Sequence, residues 1–185
     1  MMKDKYTLRA KSSGLRARSA YKLFQINDKY HLIKKGDSVL DLGCWPGGWL
    51  IAARKLNGNS RAVGIDLNEI EPIQGIEFYK GDATEVIDGI EGTFDVVISD
   101  MAPKTTGIIH LDVDRSLGLA EMALEIAIKK LNKKGNFLVK VFQGKGFNEF
   151  VLELRKHFLH VRIAKPEASK MRSKELYLVA LGLKG

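Results

Sequence analysis

One cysteine, four prolines and no long apolar run set the first limits on this chain of 185 residues. A single Cys44 permits no intramolecular disulfide and no cysteine-cluster zinc site. With so few prolines, and no low-complexity tract or internal repeat, nothing reads as a linker. No stretch approaches the roughly 20 apolar residues of a membrane span. The first 30 residues are charged and hold no apolar leader core, so no secretory signal is expected. A cytoplasmic, monomeric protein without a metal is the expectation. Two phosphate-binding signatures are missing as well: there is no G-x-G-x-x-G and no G-x-x-x-x-G-K-[ST].

What is present is an uneven charge. The net formal charge is +8. Residues 1–35 hold ten basic and two acidic residues, residues 36–154 hold 12 and 18, and residues 155–185 hold eight and two. A basic head and a basic tail flank an acidic middle, the footprint expected of a polyanion partner. A solvated basic helix explains such a run about as well when it is considered alone.

The periodicity predicts one α/β domain, residues 1–185, with a basic helical appendage over 1–35. Leu15–Tyr30 carries a helical apolar stripe through Leu23 and Ile26. Strands are expected at Ser38–Leu42, Ala62–Leu67, Ile76–Lys80, Asp95–Ser99, Asn136–Phe142, Val161–Ala164 and Glu175–Leu183. Helices are expected at Trp49–Leu56, Thr84–Gly89, Asp112–Leu131 and Phe147–Phe158. This alternation implies a doubly wound, mostly parallel sheet. The short connection before the final strand lets it pair antiparallel.

Such sheets bind ligands beyond the carboxyl ends of their strands. Asp41, Asp66, Asp82 and Asp100 stand at four of those ends. Each alone is an ordinary cap or turn residue. Between Asp41 and the next helix runs Gly43-Cys44-Trp45-Pro46-Gly47-Gly48-Trp49. Its proline removes an N–H that would otherwise cradle a phosphate, which favours a nucleoside-type ligand over a dinucleotide. Asp66 is placed to accept from ribose hydroxyls and Asp82 from an adenine amino group. The D-x-G-x-x-P-G-G loop resembles the first motif of the Rossmann-like S-adenosylmethionine-dependent methyltransferases. Cys44 has no base beside it in sequence and reads as packing.

Lys140 interrupts an apolar strand, NFLVKVF. A buried unpaired ammonium is costly, so Lys140 needs a carboxylate, and Asp100 is the natural one. Lys22 and Glu175, considered singly, are ordinary surface charges. Together with the stretches GLRARSAYKL, VLDLGCWPGGW, GIDL, SDMAPKTTG, VKVFQGKGF and KPEASKMRSKELYLVA, they give the whole chain a more specific likeness. It resembles the FtsJ-type ribose 2′-O-methyltransferases of ribosomal RNA.

That resemblance implies a catalytic tetrad at Lys22, Asp100, Lys140 and Glu175. It implies cofactor contacts from Gly47, Trp49, Asp66, Asp82 and Asp100, with Gly43 and Gly48 completing the loop. S-adenosylmethionine is the implied cofactor, and large-subunit ribosomal RNA, at a uridine, the implied partner. Arg9, Lys11, Arg16 and Arg18 on one side, and Lys165, Lys170, Arg172 and Lys174 on the other, would hold RNA phosphates. Amino-group methyltransferases often place an aromatic residue after the fourth strand; Asp100-Met101-Ala102-Pro103 has none, which favours a hydroxyl acceptor. An ordinary lysine is charged at neutral pH. Lys140 is therefore a candidate either for general base or for a cation that steers the acceptor oxygen. Two positions depart from the family pattern: Cys44-Trp45 before the loop proline, and Lys170 where arginine is common. The tetrad would also serve transfer RNA or mRNA-cap enzymes. A non-catalytic RNA-binding module and a nicotinamide oxidoreductase are the readings from other classes.

Overall fold

A computed structural model describes residues 19–169 and 173–185. Arg9, Lys11, Arg16, Arg18, Lys170 and Arg172 lie outside the described residues. The elements in chain order are α1 (Ser19–Tyr30), β1 (Val39–Leu42), α2 (Gly48–Leu56), β2 (Ala62–Asp66) and β3 (Glu77–Lys80). Then come α3 (Ala83–Val86) with a 3-10 turn, β4 (Phe94–Ser99), α4 (Ile109–Lys130), β5 (Leu131–Phe142), α5 (Phe147–His157), β6 (Phe158–Ala164) and β7 (Glu175–Leu183).

The seven strands form one sheet in the order β3-β2-β1-β4-β5-β7-β6. The first five run parallel, and β7 pairs antiparallel with both β5 and β6. The order reverses between β1 and β4, so their carboxyl ends open a crevice at that point.

Each strand sends alternate side chains to opposite faces. On one face, Phe137, Val139 and Val141 of β5 and Leu178 and Ala180 of β7 meet α4 and α5 through Ala120, Ala123, Ala127, Phe150 and Leu154. On the other, Leu138 of β5 and Tyr177 and Val179 of β7 meet α1 and α2 through Leu23, Ile26, Trp49 and Ala53. This parity decides the site. Lys140 shares the face of Leu138, Glu175 shares that of Tyr177, and the helix packed there is α1, which carries Lys22.

Beyond α1, three described elements start three or more residues away from the sequence reading. β5 starts at Leu131, not Asn136, because buried Leu131 pairs with Phe94 before a bulge restores register at Val96 and Asn136. β6 starts at Phe158, which pairs with Leu183 and stacks on Phe137 instead of ending the helix. α4 begins at Ile109, and Asp112 reaches back from its first turn to accept from the Thr106 and Gly107 amides.

Candidate active site

The loop after β1 is tied to β2 by its own backbone. The amides of Gly43 and Cys44 donate to the Ile65 carbonyl, and that of Trp45 to Asp66 Oδ2 at 2.8 Å. These three amides are thereby spent within the protein and form no phosphate cradle. Gly43 has φ +74°, and a Cβ there would collide with the Met101 side chain. A side chain at this position is thus excluded both by backbone conformation and by space.

Above the loop lies a cleft of about 450 Å³, within the usual range for small-molecule sites. Gly43, Asp66, Asp82 and Asp100 line it, with Met101, Leu119 and Met122 as apolar wall. Asp66 is held in place by the Trp45 amide on one oxygen and by the Asn68 amide and side chain on the other. Asp82 caps α3, accepting from the Thr84 amide and hydroxyl. Those two hydrogen bonds, the hydroxyl's first, lower its carboxyl below the usual aspartate value. Asp82 stays ionised at neutral pH, and both carboxylates keep lone pairs for hydroxyl or amino donors in the cleft.

Trp49, Gly47 and Gly48 sit elsewhere. The Trp49 indole is buried, donates to the Ser19 carbonyl at 2.9 Å and packs on the Tyr177 ring at 5.8 Å. Its ring is an anchor for α1, not part of the cleft wall. Gly47 and Gly48 open α2 and are buried; Gly47 adopts φ +97° to make the turn. Cys44 is also buried, and burial pushes its thiol up, which keeps it inert. Trp45 behaves differently: the residue is 58% exposed and lines the cleft.

At Asp100 the cleft meets a chain of charged side chains. Lys140 Nζ lies 3.0 Å from Asp100 Oδ1 and donates to the Asp100 carbonyl. Lys140 is 6% exposed, so this pairing is what makes its burial tolerable. Lys22 Nζ lies 3.1 Å from Glu175 Oε2. Tyr177 joins the two pairs: its hydroxyl accepts from Lys22 at 2.9 Å and donates to Asp100 Oδ1 at 2.8 Å. All four residues expected from the sequence are therefore in one network, and Tyr177 is the member the sequence reading missed. The signal was available in principle: Tyr177 lies two residues from Glu175 on the same strand face and directly opposite Lys140.

The electrostatics follow from the pairing. Burial pushes the Glu175 carboxyl up, but the ammonium groups of Lys22 and Lys140 and the hydrogen bonds from Lys22 and Ser173 outweigh it. Glu175 thus titrates below the ordinary glutamate range. Burial, and then the Asp100 charge, push the Tyr177 hydroxyl well up, so it remains a donor. Beneath the network, Asp41 is fully buried, and neither of its oxygens has a hydrogen-bond partner among the described residues. Burial, then Asp100 and Asp66, raise its carboxyl well above the usual aspartate value.

Comparison with known proteins matches this arrangement to a family. The family model described as FtsJ-like methyltransferase covers residues 15–183. The chain belongs to the FtsJ-like methyltransferase family. Relatives named ribosomal RNA large subunit methyltransferase E include one from Methanocella arvoryzae, 45% identical over 97% of this chain and 72% of its own length. Another, from Nitrosospira multiformis, is 47% identical over 97% of this chain and 91% of its own. A solved ribosomal RNA methyltransferase structure from Plasmodium falciparum superposes with a TM-score of 0.80, covering 92% of this chain and 99% of that one at 26% identity. This FtsJ-like methyltransferase has no helix among its described residues long and apolar enough to cross a membrane. Its described residues also place no group of three His, Cys, Asp or Glu to hold a metal ion. Of the expected RNA contacts, Lys165 and Lys174 are described, and both are exposed.

Proposed function

We infer that this enzyme transfers a methyl group from S-adenosylmethionine to the 2′ oxygen of a ribose in large-subunit ribosomal RNA. The observation that carries the reading is the meeting, at Asp100, of a nucleoside-sized cleft with the Lys22–Glu175–Tyr177–Lys140 network. The relatives' names supply the RNA class.

The cleft suits an adenosine-bearing cofactor. Glycine at position 43 leaves room for close approach, and the carboxylates of Asp66 and Asp82 suit ribose hydroxyls and an amino group. Met101, Leu119 and Met122 offer an apolar face to a ring. When bound, S-adenosylmethionine supplies a methyl group on a positively charged sulfur, so transfer leaves a neutral thioether.

The acceptor hydroxyl releases its proton to solvent water as the new C–O bond forms and the S–C bond of the sulfonium breaks. A lysine ammonium has three donors, and Lys140 directs donors at the Asp100 carboxylate and carbonyl. The donor that remains steers the 2′ oxygen and stabilises its developing charge. Asp100 fixes Lys140 from the cofactor side. Lys22, held by Glu175, fixes the Tyr177 hydroxyl that steadies Asp100. The basic tail residues Lys165 and Lys174 position the RNA backbone.

The test is methyl transfer from labelled S-adenosylmethionine to large ribosomal subunits from cells lacking this protein. Label is expected as a 2′-O-methyl nucleoside in large-subunit RNA. Label confined to transfer RNA or to base nitrogens would overturn the reading.

A further inference from the structure

The cofactor cleft lies at the carboxyl ends of the parallel strands, so their amino ends form a second pole, facing away from it. β7 runs antiparallel, and its last residues lie at that pole too, with the end of α5 that precedes β6. There the fold collects cations from all three charge segments of the chain. Lys34 and Lys35 come from the basic head, Lys133 and Lys134 from the acidic middle, and Arg155 and Lys184 from the basic tail. All six are exposed. Nothing in the transfer chemistry above uses them.

Specific contacts bring these segments together. Asn136 of β5 donates its side-chain amide to the Leu32 carbonyl at 2.8 Å and accepts from the Gly182 amide at 3.1 Å. One residue thus ties the loop that carries Lys34 and Lys35 to the end of β7, which leads into Lys184. Lys184 donates its amide to the His157 carbonyl and its ammonium to the Arg155 carbonyl, at 2.7 Å for the latter. Lys133 lies against Gly185, where a Cβ would stand 3.9 Å from its Nζ.

Lys133 and Lys134 are presented on a fixed turn. Leu131 pairs with Phe94 and Asn136 with Val96, so the residues between them bulge out of the ladder. Lys134 adopts φ +64°, a left-handed conformation uncommon for residues other than glycine. Such local strain persists only where the surroundings hold it. Asn132 is the holder: its side chain donates to Asp95 Oδ1 at 2.8 Å and accepts from the Thr93 hydroxyl. Two adjacent ammonium groups are therefore held out to solvent on a pinned turn.

The carboxylates nearby are engaged elsewhere. Asp95 accepts from the Ser38 amide and hydroxyl as well as from Asn132, Asp37 accepts from the Lys34 amide, and Glu153 pairs with Lys156 and His157. Among the described residues, no ion pair engages Lys35, Lys133, Lys134 or Arg155. A surface of one sign without internal neutralisation attracts a polyanion. The four residues of strand from Asn136 to Lys140 span about 13 Å, and the turn lies beyond Asn136. A phosphate held here belongs to a different stretch of RNA from the acceptor nucleotide.

We propose that this pole is a second RNA-docking surface, which grips the phosphate backbone of a segment of large-subunit RNA remote from the acceptor. The proposal rests on the ribosomal-RNA reading. Phosphate contacts fix orientation without reading sequence, so the surface selects folded large-subunit RNA over a short strand.

Two double variants of the full chain test it: Lys133→Glu with Lys134→Glu on the turn, and Lys35→Glu with Arg155→Glu away from it. The second pair leaves the turn intact. Each is expected to weaken binding to protein-free large-subunit RNA about tenfold or more and to flatten the plot of log affinity against log salt. Affinity for a short single-stranded oligoribonucleotide, affinity for S-adenosylmethionine, and kcat at saturating RNA are expected to be unchanged. If the parent enzyme methylates no ribose but both variants lose large-subunit RNA, the functional reading fails and the docking surface stands. If the parent enzyme methylates ribose while both variants match it in RNA affinity and salt slope, the surface is overturned. A loss seen only with intact subunits, which would point to an acidic protein partner, overturns it as well. So does a loss seen only with phosphatidylglycerol vesicles, or an equal loss on the short strand.

Discussion

Tyr177 donates its hydroxyl to Asp100 Oδ1 at 2.8 Å, and Lys140 Nζ lies 3.0 Å from that same oxygen. One carboxylate oxygen thus receives a neutral donor from the Lys22–Glu175 side and the Lys140 ammonium from the other. The carboxylate that holds this ammonium is itself held by the Tyr177 phenol.

Removing that phenol isolates the two ion pairs. Tyr177 is fully buried, and its hydroxyl bonds two charged groups. Tyr177→Phe is expected to cost about 2 kcal/mol of stability, since hydrogen bonds to charged groups are the stronger ones. Denaturant midpoints measure it. Coupling between Lys22 and Lys140 in a double-mutant cycle should also vanish in the Phe background; coupling that persists there would show the two pairs communicate by another route.

Lys140→Ala is expected to lower methyl transfer by about a thousandfold or more, the scale seen when a key charge-stabilising donor is lost. Cofactor affinity should hold, because Lys140 does not line the cofactor cleft. Calorimetric titration with S-adenosylmethionine, beside a transfer assay, separates the two. Loss of both together would place Lys140 in cofactor binding and refute the assignment.

Asp41 makes stability pH-dependent in the direction opposite to a salt-bridged carboxylate. Its folded pKa is raised by burial, while the unfolded chain titrates near the ordinary aspartate value, about 3.9. Its contribution is fully present below that unfolded value and is lost as pH rises towards the folded one. Asp41→Asn removes this proton linkage. The variant is expected to be more stable than the parent at neutral pH and no more stable at about pH 3. Unfolding curves across that range decide; a constant gap between the two proteins would refute the linkage.

Lys165 and Lys174 are exposed on the basic tail. Each that contacts a phosphate releases a counterion, so RNA affinity should fall steeply with salt. Replacing either by alanine should flatten the plot of log affinity against log salt by roughly 0.7–0.9. An unchanged slope in both variants would place the RNA on another surface.

Much of this protein was determined by its sequence alone, because local physics suffices for those parts. Period-two and period-3.6 apolar patterns located every strand and helix of the described chain, missing mainly ends such as Leu131 and Phe158, where long-range pairing overrode the local pattern. The D-x-G-x-x-P-G-G turn, the strand-end carboxylates and the lysine within an apolar strand were legible because each is an anomaly of residue type. The tertiary structure decided what pairing and parity decide. Antiparallel registration of β7 on β5 sets Tyr177 opposite Lys140, which no local pattern encodes, and so makes Tyr177 the link between two ion pairs. Packing of α1 on one sheet face made the Trp49 indole the anchor of the helix that carries Lys22. The basic pole likewise exists only once Asn136 ties the loop before β1 to the end of β7. Residue chemistry is carried by the chain, but adjacency across the sheet is a property of the fold.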